Sequence, residues 1–187
     1  MNKLTFCSLA AAAAFAVPSA AFAQDAGQPE VTIGASGGYH DLGIGDDLED
    51  IAGPDASDSG AIFGGFVAVD VPVSSTFFVG VEGNAHIGTG AIDADYGASA
   101  RLGYRAENGT KVYLRGGYQW VDVDAAELAG VDGDLFDEDD LGIDTTVGDY
   151  LVGAGVDVPV GQVSIRGNID TISFDTVRLT AGVGFRF

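Results

Sequence analysis

From residue 30 onward, apolar residues recur at every second position in eight separate segments, and this alternation limits the folds open to the chain more than any other feature. A period of two is that of a β-strand, in which neighbouring side chains point to opposite faces. The spacing of an amphipathic helix, with apolar residues three or four apart, is not found in this region. The sequence therefore predicts an all-β fold of eight strands.

The connections between these segments alternate in length. Two are long and acidic, at about 41–58 and 122–145, whereas three are tight, at 72–75, 107–109 and 159–161. Asn108-Gly109 is a strong hairpin turn, because both residue types accept a positive φ. Tight turns at one end and longer loops at the other are typical of an antiparallel, up-and-down transmembrane β-barrel.

The two faces of the strands distinguish a membrane barrel from a soluble one. A soluble barrel directs its apolar residues inward, whereas a membrane barrel directs them outward to lipid. The apolar face carries no charge across its middle in any strand, and aromatic residues lie near both ends, with Tyr39 and Trp120 at one end and Phe77 and Tyr104 at the other. Such aromatic girdles mark the two headgroup layers. The sequence therefore predicts that the apolar face meets lipid.

The opposite face then points into the lumen, and it holds all six arginines together with several acids. Burying a lone charge is costly, so we expect these residues to form ion pairs, with Glu82 nearest Arg101 or Arg105. Eight strands leave an interior that side chains can fill, so we expect a plugged lumen. The candidate ion-pair residues are Glu82, Arg101, Arg105, Arg115, Asp149, Asp157, Arg166, Asp170, Arg178 and Arg186.

The N-terminal segment has the pattern of a secretory signal peptide. Residues 1–23 begin with the basic Lys3, continue through a short apolar run and close with an A-x-A site that ends at Ala23. We expect cleavage between Ala23 and Gln24, which leaves residues 24–187 as a single barrel domain. The only cysteine, Cys7, is lost with the peptide, so the mature chain has no disulfide.

The C-terminal segment, Ala181 to Phe187, alternates and ends in phenylalanine. It resembles the last strand of Gram-negative outer-membrane β-barrels, and the whole mature chain resembles the small eight-stranded OmpA/OmpX- or opacity-type barrels. The resemblance implies an outer-membrane location with both termini in the periplasm. It also implies that the barrel assembly machinery reads the terminal strand, with Phe185 and Phe187 as its signal. We expect a monomer.

The net charge of the chain limits the classes of partner that it can bind. Against 28 acids the chain has 8 basic residues, a net charge of −20, which excludes a protein that binds duplex nucleic acid. The densest acidic segment, 132–140, lacks the spacing of an EF-hand, so no specific metal site and no cofactor are predicted. We expect diffuse bridging by divalent cations between such acids and lipopolysaccharide.

Three functions of different classes remain open. The favoured one is a structural or surface-interaction protein with a filled lumen and acidic extracellular loops. The second is a narrow, porin-like channel for small solutes. The third, a membrane-embedded lipid-modifying enzyme, is disfavoured because the sequence shows no nucleophile–base pair and no catalytic residues. Gly34 to Gly38 spells G-x-S-x-G but lies within a strand, and His40 and His86 have no ligand partner nearby in sequence.

Overall fold

The computed structural model describes residues 27–43, 59–123 and 146–187. The described part forms one closed antiparallel barrel in which each strand pairs with its neighbours in sequence and the last strand pairs with the first. The strands are β1 (Glu30–Asp41), β2 (Ser59–Pro72), β3 (Phe77–Gly88), β4 (Ile92–Arg105), β5 (Lys111–Val123), β6 (Thr146–Val160), β7 (Val163–Ile172) and β8 (Val177–Arg186). The predicted eight-stranded all-β barrel is confirmed. The segment predicted to be a signal peptide, residues 1–23, and most of both long connections lie outside the described residues.

The strands are staggered as the barrel closes. Starting at Glu30 and stepping through hydrogen-bonded neighbours once around the wall, the path returns to β1 at His40, ten residues further along. A stagger of this kind requires the strands to tilt against the barrel axis. The seam between β8 and β1 extends to the last residue, since the Phe187 backbone N–H donates to the Val31 carbonyl at 2.9 Å.

The outward face is apolar and the inward face is charged, as the alternation predicts. Val81 and Leu114 project outward and are 57% and 68% exposed, whereas the inward Arg101 and Arg178 are 2% and 1% exposed. An exposed apolar surface over every strand is the arrangement that lipid stabilises and water does not. Within the described ranges, no helix is long and apolar enough to cross a membrane.

The tight turns lie where the sequence predicts them, with small changes of boundary: Pro72 belongs to β2 and pairs with Phe78, and the turn predicted at 107–109 lies between Arg105 and Lys111. Strand β6 continues through Pro159 to Val160, which still pairs with Val163. The connection is therefore the dipeptide Gly161-Gln162 rather than residues 159–161. Gly161 adopts a φ of 66°, a left-handed conformation that glycine accepts without a steric penalty.

An apolar layer closes the interior at the end that carries the long connections. Its five buried members come from five different strands, and each points inward. They are Ile62, Ile92, Val121, Leu151 and Ile172. Charged and polar side chains were predicted on the inward face, and this apolar layer was not predicted. These side chains are buried against one another, which removes their apolar surface from water.

Candidate functional site

Glu82 is the centre of the charged lumen. It points inward from β3 and is contacted by arginines from three other strands. Its two carboxylate oxygens each accept a bond at 2.8 Å, Oε2 from Nη1 of Arg101 and Oε1 from Nη1 of Arg115. Nη1 of Arg166 donates to the same Oε2. One buried acid thus holds three guanidinium groups together, which joins β3, β4, β5 and β7 across the interior.

From Glu82 the network continues toward the loop end. Nε of Arg115 lies 3.3 Å from Oδ1 of Asp170, whose other oxygen is 3.1 Å from Nη2 of Arg178. Nη1 of Arg178 then donates to Asp95 at 2.6 Å. Acids and bases alternate along this path, so each buried charge contacts a charge of opposite sign, as burial requires.

The network also runs toward the turn end of the barrel. Nη2 of Arg166 donates to Asp157 at 2.7 Å. Nη2 of Arg101 lies 3.5 Å from Oδ2 of Asp70, and that oxygen accepts a 2.6 Å bond from Nζ of Lys111. The branch through Arg101 connects the central carboxylate to a second acidic site lower in the lumen.

The network of ion pairs ends at the rim of the barrel on the side of the tight turns. Nζ of Lys111 donates to Glu30 at 2.5 Å, and Arg105 and Arg186 approach the other oxygen of Glu30 at 3.5 and 3.7 Å. Both arginines are partly exposed at this mouth, so their pairs are screened more than the central ones. A single connected series of ion pairs therefore extends through most of the barrel.

The network takes up every basic residue outside the predicted signal peptide. The chain has eight lysines and arginines, of which one is Lys3 and the other seven line the lumen. Glycine makes the fit possible at two places, since a Cβ at Gly80 or Gly153 would collide with the carboxylate of Asp70 or Asp170. The charges that remain for the outer surface are all acidic.

Three aromatic side chains fill the space between the charges. The guanidinium carbon of Arg101 lies 4.0 Å from the Tyr113 ring centre, and that of Arg166 lies 4.0 Å from the Phe66 ring centre. Nζ of Lys111 lies 5.2 Å from the Phe78 ring centre. Cations that stack on ring faces give up water at a lower cost, so these contacts stabilise the packed lumen.

The structure brings nine of the ten predicted ion-pair residues into this network. Asp149 lies apart: its Oδ1 accepts the backbone N–H of Tyr150 at 2.7 Å, and within the described residues it forms no ion pair. Four members were missed, namely Glu30, Asp70, Asp95 and Lys111. The alternation along β2 could have identified Asp70 as an inward residue, because it lies between two valines that point outward.

A second polar cluster surrounds Asp95 near the loop end. Nδ1 of His40 lies 3.0 Å from Oδ2 of Asp95, and Nδ1 of His86 lies 4.0 Å from Oδ1. The other ring nitrogen of His86 is 2.8 Å from the hydroxyl of Ser36. Sequence reasoning did not find this serine–histidine pair, because the two residues are 50 positions apart.

This cluster has only part of the geometry of a nucleophilic site. A hydroxyl–imidazole contact is present, but 4.0 Å between His86 and Asp95 is too long for the hydrogen bond that orients a catalytic imidazole. Ser36 also lies within β1, whose backbone N–H groups serve the sheet. No group of three or more potential metal ligands occurs in the part of the chain that the structure describes.

Comparison with solved structures gives similar folds at low sequence identity. Ail, the attachment invasion locus protein of Yersinia pestis, matches with a TM-score of 0.51 and 13% identity over 85% of this chain and 97% of that one. That structure contains the heparin analogue sucrose octasulfate. Neisserial surface protein A matches with a TM-score of 0.49 and 17% identity, over 88% of this chain and 100% of its own.

Sequence comparison identifies the family. A search among curated proteins gives no match. The family model described as the outer membrane protein beta-barrel domain matches residues 7–187, which is nearly the whole chain. The outward apolar face, the closed eight-stranded wall and this match agree, and the chain belongs to the outer membrane protein beta-barrel domain family.

Proposed function

We propose that this outer-membrane barrel is a non-conducting protein with a structural or surface-interaction role. The observation that carries the proposal is the occupied interior, where buried ion pairs centred on Glu82 adjoin an apolar layer at the loop end. An open channel would need these ion pairs to separate and the apolar layer to part. Both steps expose groups that now satisfy or cover one another, so they oppose conduction.

Planar bilayer recording tests the filled lumen. Barrels inserted into the bilayer are expected to give no steady current at moderate voltage, because Glu82 and the buried guanidinium groups around it occupy the interior. A larger porin inserted under the same conditions is the positive control. A steady single-channel conductance that scales with the number of inserted barrels would replace the proposal with the alternative, a narrow porin-like channel.

The surface role is supported by how the charges are sorted. All basic residues outside the predicted signal peptide lie in the lumen network, and the long connections, 42–58 and 124–145, are rich in acids. We place both termini in the periplasm and these connections outside the cell, the usual arrangement for a barrel with tight turns at one end. With a net charge of −20, this chain would repel a polyanion such as the heparin analogue in the Ail structure, so we do not expect it to bind a ligand of that kind.

In the outer membrane, this acidic surface would lie beside lipopolysaccharide, which is also negatively charged. Carboxylates repel its phosphates unless divalent cations bridge them through oxygen ligands. We expect Mg²⁺ or Ca²⁺ to increase the lipopolysaccharide retained by barrels in nanodiscs, compared with Na⁺ at the same ionic strength. Retention that does not differ between Na⁺ and the divalent cations would count against bridging.

The barrel assembly machinery is the second proposed partner, through the aromatic end of β8. Phe187 contributes a final pair of backbone hydrogen bonds with Val31 and a ring contact with Phe185 at 5.8 Å between centres. Deleting Phe187 is therefore expected to lower the unfolding free energy of refolded protein by no more than about 1–3 kcal/mol. In cells, the deletion should sharply reduce the heat-modifiable, folded barrel. Normal cellular yield would remove Phe187 from the assembly signal.

A further inference from the structure

The charged lumen contains one more basic side chain than it contains acids, with the two histidines counted as neutral. In its centre, four arginines pair with four acids: Arg101, Arg115, Arg166 and Arg178 with Glu82, Asp95, Asp157 and Asp170. At the opening on the side of the tight turns, which we call the turn-end mouth, three bases pair with two acids: Arg105, Lys111 and Arg186 with Glu30 and Asp70. Among the described residues, the uncompensated positive charge of the network therefore lies at this mouth.

Two guanidinium groups at the turn-end mouth approach the same carboxylate oxygen. Nη2 of Arg105 lies 3.5 Å from Oε2 of Glu30, and Nη1 of Arg186 lies 3.7 Å from it. The other oxygen of Glu30 accepts a bond from Nζ of Lys111, which also donates to Asp70. A single carboxylate carries one negative charge, so Glu30 compensates only part of the charge of the two arginines.

Both arginines have hydrogen-bond donors that the protein leaves unused. In the part of the chain that the structure describes, the guanidinium of Arg105 donates no hydrogen bond, and its ionic contact with Glu30 at 3.5 Å is longer than a usual N–H···O bond. Arg186 donates from Nη2 to the Gly161 carbonyl, but its Nε has no acceptor. The two side chains are 30% and 22% exposed, whereas the other five basic side chains of the network are at most 3% exposed. A ligand from solvent can therefore reach these two cations but not the rest of the network.

The acidic connections lie at the opposite end of the barrel from this mouth. Strand β4 runs for 14 residues from Ile92 to Arg105, which separates its two ends by roughly 30 Å at the tilt of a barrel strand. That distance is several Debye lengths at physiological salt, so the negative charge of the connections is screened at the turn-end mouth. A chain that repels a large polyanion can therefore attract a small anion here.

We propose that the turn-end mouth binds a phosphate group, held by the guanidinium groups of Arg105 and Arg186. A guanidinium donates two parallel hydrogen bonds to phosphate oxygens, and the two arginines come from different strands, β4 and β8. A phosphate presents oxygens in several directions and can accept from both, whereas the two oxygens of a carboxylate lie in one plane. Free phosphate and a phospholipid headgroup at the same rim share this chemistry. The proposal is independent of the surface role proposed above, because it concerns the end of the barrel opposite the long connections.

Titration of the full barrel with inorganic phosphate, followed by phosphorus NMR, tests the site. Maltoside micelles carry no phosphate and serve as the membrane mimic, at about 0.15 M NaCl. Saturable broadening of the phosphate resonance is expected. Arg105→Gln should weaken binding about tenfold, because it removes charge-assisted hydrogen bonds. In this variant six bases match six acids, so it should fold as the wild type does, which heat-modifiability on gels checks.

Two further variants separate a specific site from general attraction between charges. Arg105→Lys keeps the charge but lacks the planar pair of donors, so it should also weaken binding severalfold. Glu107→Gln removes an exposed acid from the adjoining turn and should change the phosphate affinity by less than about twofold.

Addition of phosphatidylglycerol to the micelles identifies the source of the phosphate group. Displacement of free phosphate by this lipid would assign the site to a lipid headgroup, and unchanged binding would assign it to a soluble phosphate; either result supports the site. A lack of saturable binding, or equal affinities of the wild type, Arg105→Gln and Arg105→Lys, would overturn it. The filled lumen, which bilayer recording tests, would stand in both of those cases.

Discussion

Replacing Glu82 with Ala is expected to lower the free energy of unfolding by about 3–5 kcal/mol. The Glu82 side chain is 2% exposed and contacts Arg101, Arg115 and Arg166. Without it, three buried guanidinium groups lose the acid that they share, and the packed lumen has little water to solvate them. Urea unfolding of the refolded barrel in lipid vesicles measures the loss.

Two control variants show whether the loss of unfolding free energy comes from a buried charge or from any removed carboxylate. Glu82→Gln keeps the shape of the side chain but removes its charge, so its effect should fall between those of wild type and Glu82→Ala. Asp93→Ala removes a carboxylate from the exposed rim and should change stability by less than about 1 kcal/mol. A loss for Glu82→Ala as small as that of Asp93→Ala would show that water screens the lumen, against a filled interior.

The strand period alone was enough to predict the wall of the barrel. On β3, residues Phe77, Val79, Val81 and Ile87 all lie outward, as the alternation required. The side of the wall that faces lipid followed from the absence of charge across its middle. These features are local, since each depends only on residues a few positions apart.

The pairing inside the barrel depends on the stagger between strands, which the sequence does not state. Asp70 and Asp157 occupy the same place in the repeated segment Val-Asp-Val-Pro-Val, and both point inward. Asp70 nevertheless contacts Lys111, 41 residues away, because the registers from β2 to β5 bring the two side chains together in the lumen. Partners at such separations are fixed by the register of several strands at once.

The apolar layer was missed for a different reason. Leu151 stands between Tyr150 and Val152, so three large apolar residues in succession hide the difference between the two faces. The alternating pattern cannot show which residues of such an apolar run point into the lumen and which point outward. The loss of alternation near the loop end was the available signal, and it marks where the interior changes from charged to apolar.

An arginine on the outward face should be costly at the middle of the barrel and tolerated near its end. Val81 lies between Phe77 and Ile87 on β3 and pairs with Ala100, which is itself midway along the outward face of β4. Val81→Arg is expected to lower the free energy of unfolding by about 2–4 kcal/mol, because the guanidinium would stand in hydrocarbon. Ile87→Arg, on the same face of the same strand, should cost only about 0–1 kcal/mol.

The depth dependence of this cost is the most direct test of the central claim, that the apolar face of the barrel meets lipid while its charges fill the lumen. Val81 and Ile87 are 57% and 71% exposed, so water would accept an arginine at either position. Urea unfolding of both variants in lipid vesicles is predicted to give a loss of about 2–4 kcal/mol at position 81 and about 0–1 kcal/mol at position 87. Small and equal losses at both positions, as on the surface of a soluble barrel, would contradict the claim.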